Sequence, residues 1–219
     1  MGCKNTFLAK LETMTNPPIN LPPSPISGVR VLELGAGCEP LLQAFFDANP
    51  EYFLAIQGEA AAPTDGHAEI HGELPTGWNF TKKWVIGYVE PNGALIAMAN
   101  LISDIFSPGV WNISTFIVAT KRHGTGEAQL LYQSIERWAL ASGAKWLRLG
   151  VVVGNSRGER FWESTGYVQT RLRHGVDFGP KSNTLRVMFK PLTSSGLDEF
   201  LALVPRDRPE LSTVLLPIS

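Results

Sequence analysis

A chain of 219 residues is long enough for one generous domain, or one domain with extensions, and for a substantial core. Hydrophobic content of 44% and charged content of 18% are those of a folded globular protein, and a net charge of −1 gives no general pull toward nucleic acid or anionic membrane. Two cysteines, Cys3 and Cys38, make no metal-like spacing and argue against a disulfide scaffold, so a reducing cytoplasm is the expected setting.

The chain opens with Met1-Gly2-Cys3-Lys4-Asn5-Thr6, which fits the loose N-myristoylation pattern with Cys3 placed for a second acyl chain. So little of that pattern is fixed that chance accounts for it. No run approaches the ~18 apolar residues of a membrane span. Residues 16–27 hold five prolines and read as a surface arm or linker, so the folded domain is expected to start near Gly28. "VRVLEL" is a strand, "EPLLQAFFDA" an amphipathic helix, and "NPEYFLAIQG" a second helix with proline in its first turn. The Ala/Gly/Pro-rich stretch 59–81 reads mostly as loop.

"KWVIGYVE" and "ALIAMANLI" follow as strands joined at Pro91-Asn92-Gly93, a tight-hairpin signal, and "WNISTFIVAT" is a third, over 111–120. The period then changes: "GEAQLLYQSIERWALASG" sets Leu131, Ile135 and Trp138 on one helical face. "KWLRLGVVV" is a strand, "SRGERFWEST" a short helix, and "YVQTRLRH" and "TLRVMFK" a closing antiparallel pair. The class is α+β. One strand–helix–strand crossover, 111–153, should set its two strands side by side and parallel.

Two glycine turns compete for an anion or nucleotide. "VLELGAG" resembles the opening of a methyltransferase-like Rossmann unit. Against it, Pro40 interrupts the helix opening, and about 20 residues on stand Phe53 and Leu54 instead of an acid. The next strand also comes too late for a compact βαβ unit. The second turn is "ATKRHGTGEA", between a strand and a helix. Its N–H groups and the positive end of the helix dipole would face an anion, and Lys121, Arg122 and His123 add local positive charge. It is not a P-loop, because no Gly-Lys-Ser/Thr occurs, and Gln129 stands where a dinucleotide motif has its third glycine.

Here the chain resembles the GNAT superfamily of acyl-CoA-dependent N-acyltransferases. Lys121-x-x-Gly124-x-Gly126 matches the Q/R-x-x-G-x-G/A signature with lysine substituted at its first position. Asn155, Phe161-Trp162 and Gly166-Tyr167 match the later Asn, the Phe-Tyr helix and the Gly-Phe/Tyr strand opening. The resemblance covers about residues 28–192, leaving an arm, 1–27, and a C-terminal extension, 193–219. It implies a mixed, mostly antiparallel central sheet with one parallel, splayed strand pair and helices on both faces.

It also implies acetyl-CoA as co-substrate. Phe116, Ile117 and Val118 would pair with the pantetheine arm, and the backbone of Arg122, His123, Gly124, Thr125, Gly126 and Glu127 would cradle the pyrophosphate. Asn155 and Phe161 would line the far side, and the acceptor would enter near Tyr52, Phe53, Trp78 and Phe80. The chemistry is direct attack by an amine on the thioester, with a backbone N–H polarising the carbonyl.

The family's frequent tyrosine acid is Trp162 here, and Tyr167 reads as packing. Strand 111–120 offers Asn112, Ser114 and Thr115 but no carboxylate, so acid and base stay unknown and Ser114 is the candidate kept. A non-catalytic CoA-binding or regulatory domain is the alternative, and a methyltransferase a more distant one. "HAEIH" (67–71) puts its glutamate away from the zinc-protease position and reads as solvated loop, so no metal is expected. Trp84, Trp111, Trp138 and Trp146 read as packing. The six arginines from 148 to 186 make no helical stripe. The expected partner is a small-molecule or peptide amine, with no nucleic acid and no membrane. A groove cover or a homodimer contact is left open for the tail.

Overall fold

Seven strands make one sheet: β1 (Arg30–Glu33), β2 (Lys82–Val89), β3 (Leu95–Ser103), β4 (Val110–Val118), β5 (Trp146–Val152), β6 (Val168–Phe178) and β7 (Lys181–Pro191). Their spatial order is β1-β2-β3-β4-β5-β7-β6. These positions come from a computed structural model, which describes residues 21–213. Every neighbouring pair is antiparallel except β4 and β5. The expected mixed sheet with a single parallel pair is therefore present. The acylation pattern and residues 16–20 of the proline-rich stretch lie outside the described residues.

Alternation along β2 sends Trp84, Ile86 and Tyr88 to one face and Val85 and Val89 to the other. All nine residues of β3 are buried, as they must be when helices cover both faces. On the first face lies α4 (Glu127–Ala141), which contributes Leu131, Tyr132, Ile135 and Trp138. With it goes Trp162 of α5 (Ser156–Ser164). On the second lie α1 (Glu39–Asp47) and α2 (Pro50–Gln57), through Leu42, Phe45, Phe46 and Phe53. Trp84, Trp111 and Trp138 pack on one another with centroids 5.1–5.3 Å apart. Tyr167 is buried, its hydroxyl 3.3 Å from that of Tyr132, which donates to Glu136.

β1 is an edge strand antiparallel to β2. Gly35-Ala36-Gly37 therefore closes no βαβ unit, and the Rossmann reading of that turn has no structural counterpart.

The loop expected over 59–81 contains a helix, α3 (Asp65–His71), which corrects the reading of "HAEIH" as solvated loop. A glycine at its second position lowers helix propensity, but tertiary packing decides. Gly66 is buried against α1, and a Cβ there would lie 2.8 Å from Gln43 N and 3.0 Å from Glu39 O. Gln43 Oε1 accepts the Gly66 N–H at 2.8 Å. The residue that breaks the sequence pattern is the one that lets the two helix backbones meet.

Beyond β7, α6 (Leu197–Leu203) buries Phe200 on Phe189 with ring centroids 4.9 Å apart, and Trp146 lies beside them. Asp207 accepts from buried Arg148, which also donates to Asn112 Oδ1 at 2.9 Å. The described part of the tail is thus packed on the sheet. At the other end, Leu21 and Ile26 pack on the first core face, and Ser134 Oγ donates to Pro23 O at 2.5 Å.

A candidate acyl-transfer cleft

The parallel pairing of β4 and β5 runs from Val110↔Trp146 to Ile113↔Leu149 and stops, although β4 continues to Val118 and β5 to Val152. Register against β3 slips at the same point: Asn100 faces Thr115 and Leu101 faces Ile113, so Ser114 is the extra residue of a bulge. Such a bulge bends its strand and sharpens the local twist. Burial records the parting. Residues 110–113 are buried, Ser114 is exposed, and on β5 Gly150 is exposed between buried neighbours.

Two cavities flank the gap and share a wall of Tyr52, Phe116, Ile117, Asn155 and Trp162. The larger, about 700 Å³, extends to Val118, Thr120, His123, Gly124, Arg157 and Phe161. Phe116 and Phe161 stack in its lining, centroids 5.8 Å apart. The smaller, about 340 Å³, extends to Phe53, Asp65, Glu69, Ser114, Thr115 and Gly150.

At the larger cavity the chain passes from β4 through a single 3-10 turn, Thr120–Arg122, into α4. Gly124 and Gly126 have φ of +79° and +85°, the left-handed region that costs glycine nothing. Two of the N–H groups expected to hold phosphate are already used: Arg122 N donates to Ala119 O at 2.8 Å and His123 N to Thr120 O at 3.0 Å. Glu127 N donates to Thr125 Oγ1 at 3.3 Å. Among the described residues, the N–H groups of Gly124, Thr125, Gly126 and Ala128 have no acceptor. The anion-facing set is therefore narrower than Arg122 to Glu127, because the 3-10 turn consumes its start.

The Arg122 side chain turns away to Glu127 and Glu90, and these carboxylates raise its pKa further. His123 stays on the cavity wall, its Nε2 2.9 Å from Val118 O and its Nδ1 facing an Arg157 guanidinium N–H. Arginine only donates and a carbonyl only accepts, so the ring carries its proton on Nε2. Asn155 caps α5 by accepting the Gly158 N–H at 3.1 Å. Thr120 Oγ1 donates to Glu51 at 2.6 Å, which lowers the carboxyl pKa of that residue.

The smaller cavity holds what sequence reasoning missed. Asp65 and Glu69 stand one turn apart on α3 and both line it. Asn100 Nδ2 donates to Glu69 Oε1 at 2.7 Å. Only the amide nitrogen can face a carboxylate, so Asn100 Oδ1 is turned the other way, buried and without a partner among the described residues. Tyr52, from α2, lies where the cavities meet. Burial and the Glu69 charge push its phenol well above the usual tyrosine value, against a hydrogen bond with Thr115. The i,i+4 spacing of Asp65 and Glu69 was the available signal, hidden by the loop reading.

Of the other expected acceptor residues, Phe53 is in place, edge-on to Phe46 at 4.9 Å. Trp78 and Phe80 line neither cavity. Trp78 packs edge-on against Phe106 at 4.8 Å beneath the Arg206 guanidinium, and Phe80 is 44% exposed. The aromatic partner and cation there outcompete the cleft for the Trp78 ring. Ser114 lines the small cavity, and its Oγ accepts from Asn112 Nδ2 at 3.0 Å.

The model of the acetyltransferase (GNAT) family matches residues 42–167. A GCN5-related N-acetyltransferase from Kribbella flavida is 24% identical with a TM-score of 0.55, over 75% of this chain and 98% of that one. A spermidine N-acetyltransferase from Vibrio cholerae, solved with CoA and spermine, is 14% identical with a TM-score of 0.55, over 76% and 96%. The ribosomal-protein-S18-alanine N-acetyltransferase from Escherichia coli is 12% identical with a TM-score of 0.55, over 77% and 96%. These are likenesses of fold. No curated protein matches the chain. Among the described residues, no helix is long and apolar enough to cross a membrane.

Proposed function

The chain belongs to the GNAT acetyltransferase family, and on that premise we propose that it moves an acetyl group from acetyl-CoA to a primary amine by direct attack. One observation carries the reading: β4 and β5 part after Ile113 and Leu149, between a turn with free N–H groups and a wall of carboxylates. The Gly124–Gly126 turn, Ala128 N–H, His123 and Arg157 would hold the pyrophosphate end, where unpaired N–H groups and the α4 dipole favour anions. The pantetheine arm would lie along β4 from Phe116 to Val118, with Phe161 and Asn155 beside it. The thioester then reaches the gap at Ser114.

A primary amine reaches that gap as an ammonium at neutral pH. Glu69 and Asp65, both on the wall of the smaller cavity, offer acceptors for its N–H groups. Glu69 takes one ammonium proton and passes it to solvent, and the freed amine nitrogen attacks the carbonyl carbon. Glu69 then takes the second proton from the adduct nitrogen, and the C–S bond breaks as the amide forms. The departing thiolate takes a proton from Tyr52, which stands where the two cavities meet, although burial makes that phenol a weaker acid, and solvent restores it. Trp162, in the place of the family's frequent tyrosine, is buried and packs on Phe116 and Tyr132. Tyr52, from a different helix, takes over that part.

Acetyl-CoA at millimolar concentration should raise the melting temperature through ligand linkage, and a panel of primary amines should release thiol. No thermal shift with acetyl-CoA sinks the proposal. A shift with no thiol release from any amine leaves a CoA-binding domain without transfer and overturns the catalytic part.

A further inference from the structure

Helix α3 carries two histidines one turn apart, His67 and His71, with ring centroids 4.5 Å from each other. Glu39, the first residue of α1, meets them from the neighbouring helix, its Oε1 2.6 Å from His71 Nε2. One ligand atom from each of the three lies within 4.8 Å of the others. The second carboxylate oxygen accepts the Gly37 N–H at 2.7 Å, which holds the carboxylate from behind. The backbones of α1 and α3 are already in contact at Gly66, so little chain entropy separates this cluster from a finished site. His71 and Glu39 alone would make an ordinary ion pair. His67 adds nothing to that pair, but it completes a three-donor set.

We propose that Glu39, His67 and His71 bind a divalent transition ion of the Zn²⁺ kind, with solvent completing its coordination. Imidazole and carboxylate are the donors such an ion takes, at about 2.0–2.2 Å, which sets the donor atoms about 3.3 Å apart in a tetrahedral site. The present spread, from 2.6 Å to within 4.8 Å, brackets that spacing. Two histidines at i,i+4 on one helix face supply the common half of such sites. Glu69 lies half a turn from both, bonded to Asn100 and on the cleft wall, and is free of the cluster. The ion would clip α3 to α1 from outside and fix the helix that carries the acceptor-side carboxylates.

Protein stripped with a chelator is titrated with Zn²⁺ against a chromophoric chelator, and with Co²⁺ for its visible bands. About one equivalent should bind, and His67→Ala, His71→Ala and Glu39→Gln should each weaken Zn²⁺ by about tenfold or more and dim the Co²⁺ bands. Both histidines are exposed, so their alanine variants keep the fold. Cys38→Ser and His174→Ala, outside the cluster, should change nothing. Equal affinity in the wild type and the His67→Ala/His71→Ala double variant overturns the proposal. Bands that vanish with Cys38→Ser overturn it too, since the ion would then sit elsewhere. The readout is binding alone, so failure here and failure of acetyl transfer are separate results.

Discussion

The two ends of the cleft are built from different kinds of sequence. The turn at 119–128 is local: a strand ends, two left-handed glycines follow, and a helix starts with free N–H groups within ten residues. The opposite wall is assembled from α2, α3, β4 and β5, with Tyr52, Glu69 and Gly150 far apart in the chain. A phosphate-holding turn needs backbone geometry, which a few residues can specify by themselves. A side-chain constellation needs packing to bring its members together.

Glu69→Gln tests this division most severely. It removes the proposed base and should lower kcat by about 10²–10⁴ while leaving the thermal shift with acetyl-CoA intact. Collapse of both would mean that the two ends are not separable.

Gly66→Ala comes next. Its Cβ would crowd the backbone of Gln43 and Glu39, and overpacking of this kind costs about 1–3 kcal/mol. The melting temperature should fall and KM for the amine should rise, with acetyl-CoA affinity unchanged. Gly126→Val is the converse test. Open space surrounds that position but φ is +85°, so the cost is backbone strain of about 1–2 kcal/mol. Acetyl-CoA binding should weaken by about tenfold, with KM for the amine held, and Gly126→Asn should do less harm.

An alkaline titration probes the packed wall with no effect at neutral pH. Burial first, in every case, raises the pKa of Tyr52, Tyr88, Tyr132 and Tyr167, the chain's four tyrosines. The folded chain holds these protons where the unfolded chain would lose them, near pH 10. Stability is therefore complete below that pH and falls as pH rises beyond it. Phenolate absorbance should appear together with unfolding; a free titration near pH 10 in folded protein would contradict the burial. The smallest effect is expected from Ser114→Ala. Its hydroxyl accepts only from Asn112 among the described residues, so a net loss of about 0.5–1.5 kcal/mol in stability and nearly unchanged kcat should result.

Much of the sheet was legible because its signals are periodic and local. β2 alternates between two core faces, the β2–β3 hairpin turns at Pro91-Asn92-Gly93, and α4 shows its core stripe. The turn itself was legible too, though not which N–H groups it leaves free, since that depends on the 3-10 turn before it. Helix α3 was not legible: it is seven residues long, contains glycine, and is held by contact with α1. Trp78 was assigned to the acceptor side by its position before β2, but Phe106 and Arg206 draw it to the far end.

The sequence by itself determined the order of the seven strands and of α1, α2, α4 and α5, the parallel crossover and the glycine turn, because backbone preference and hydrophobic period act over a few residues. Only the tertiary structure decided where β4 and β5 part and that Asp65 and Glu69 face the gap. It also decided that Glu39, His67 and His71 share one point. Each of these depends on which helix backbones come close enough to touch, and at Gly66 that was settled by the absence of a single carbon atom.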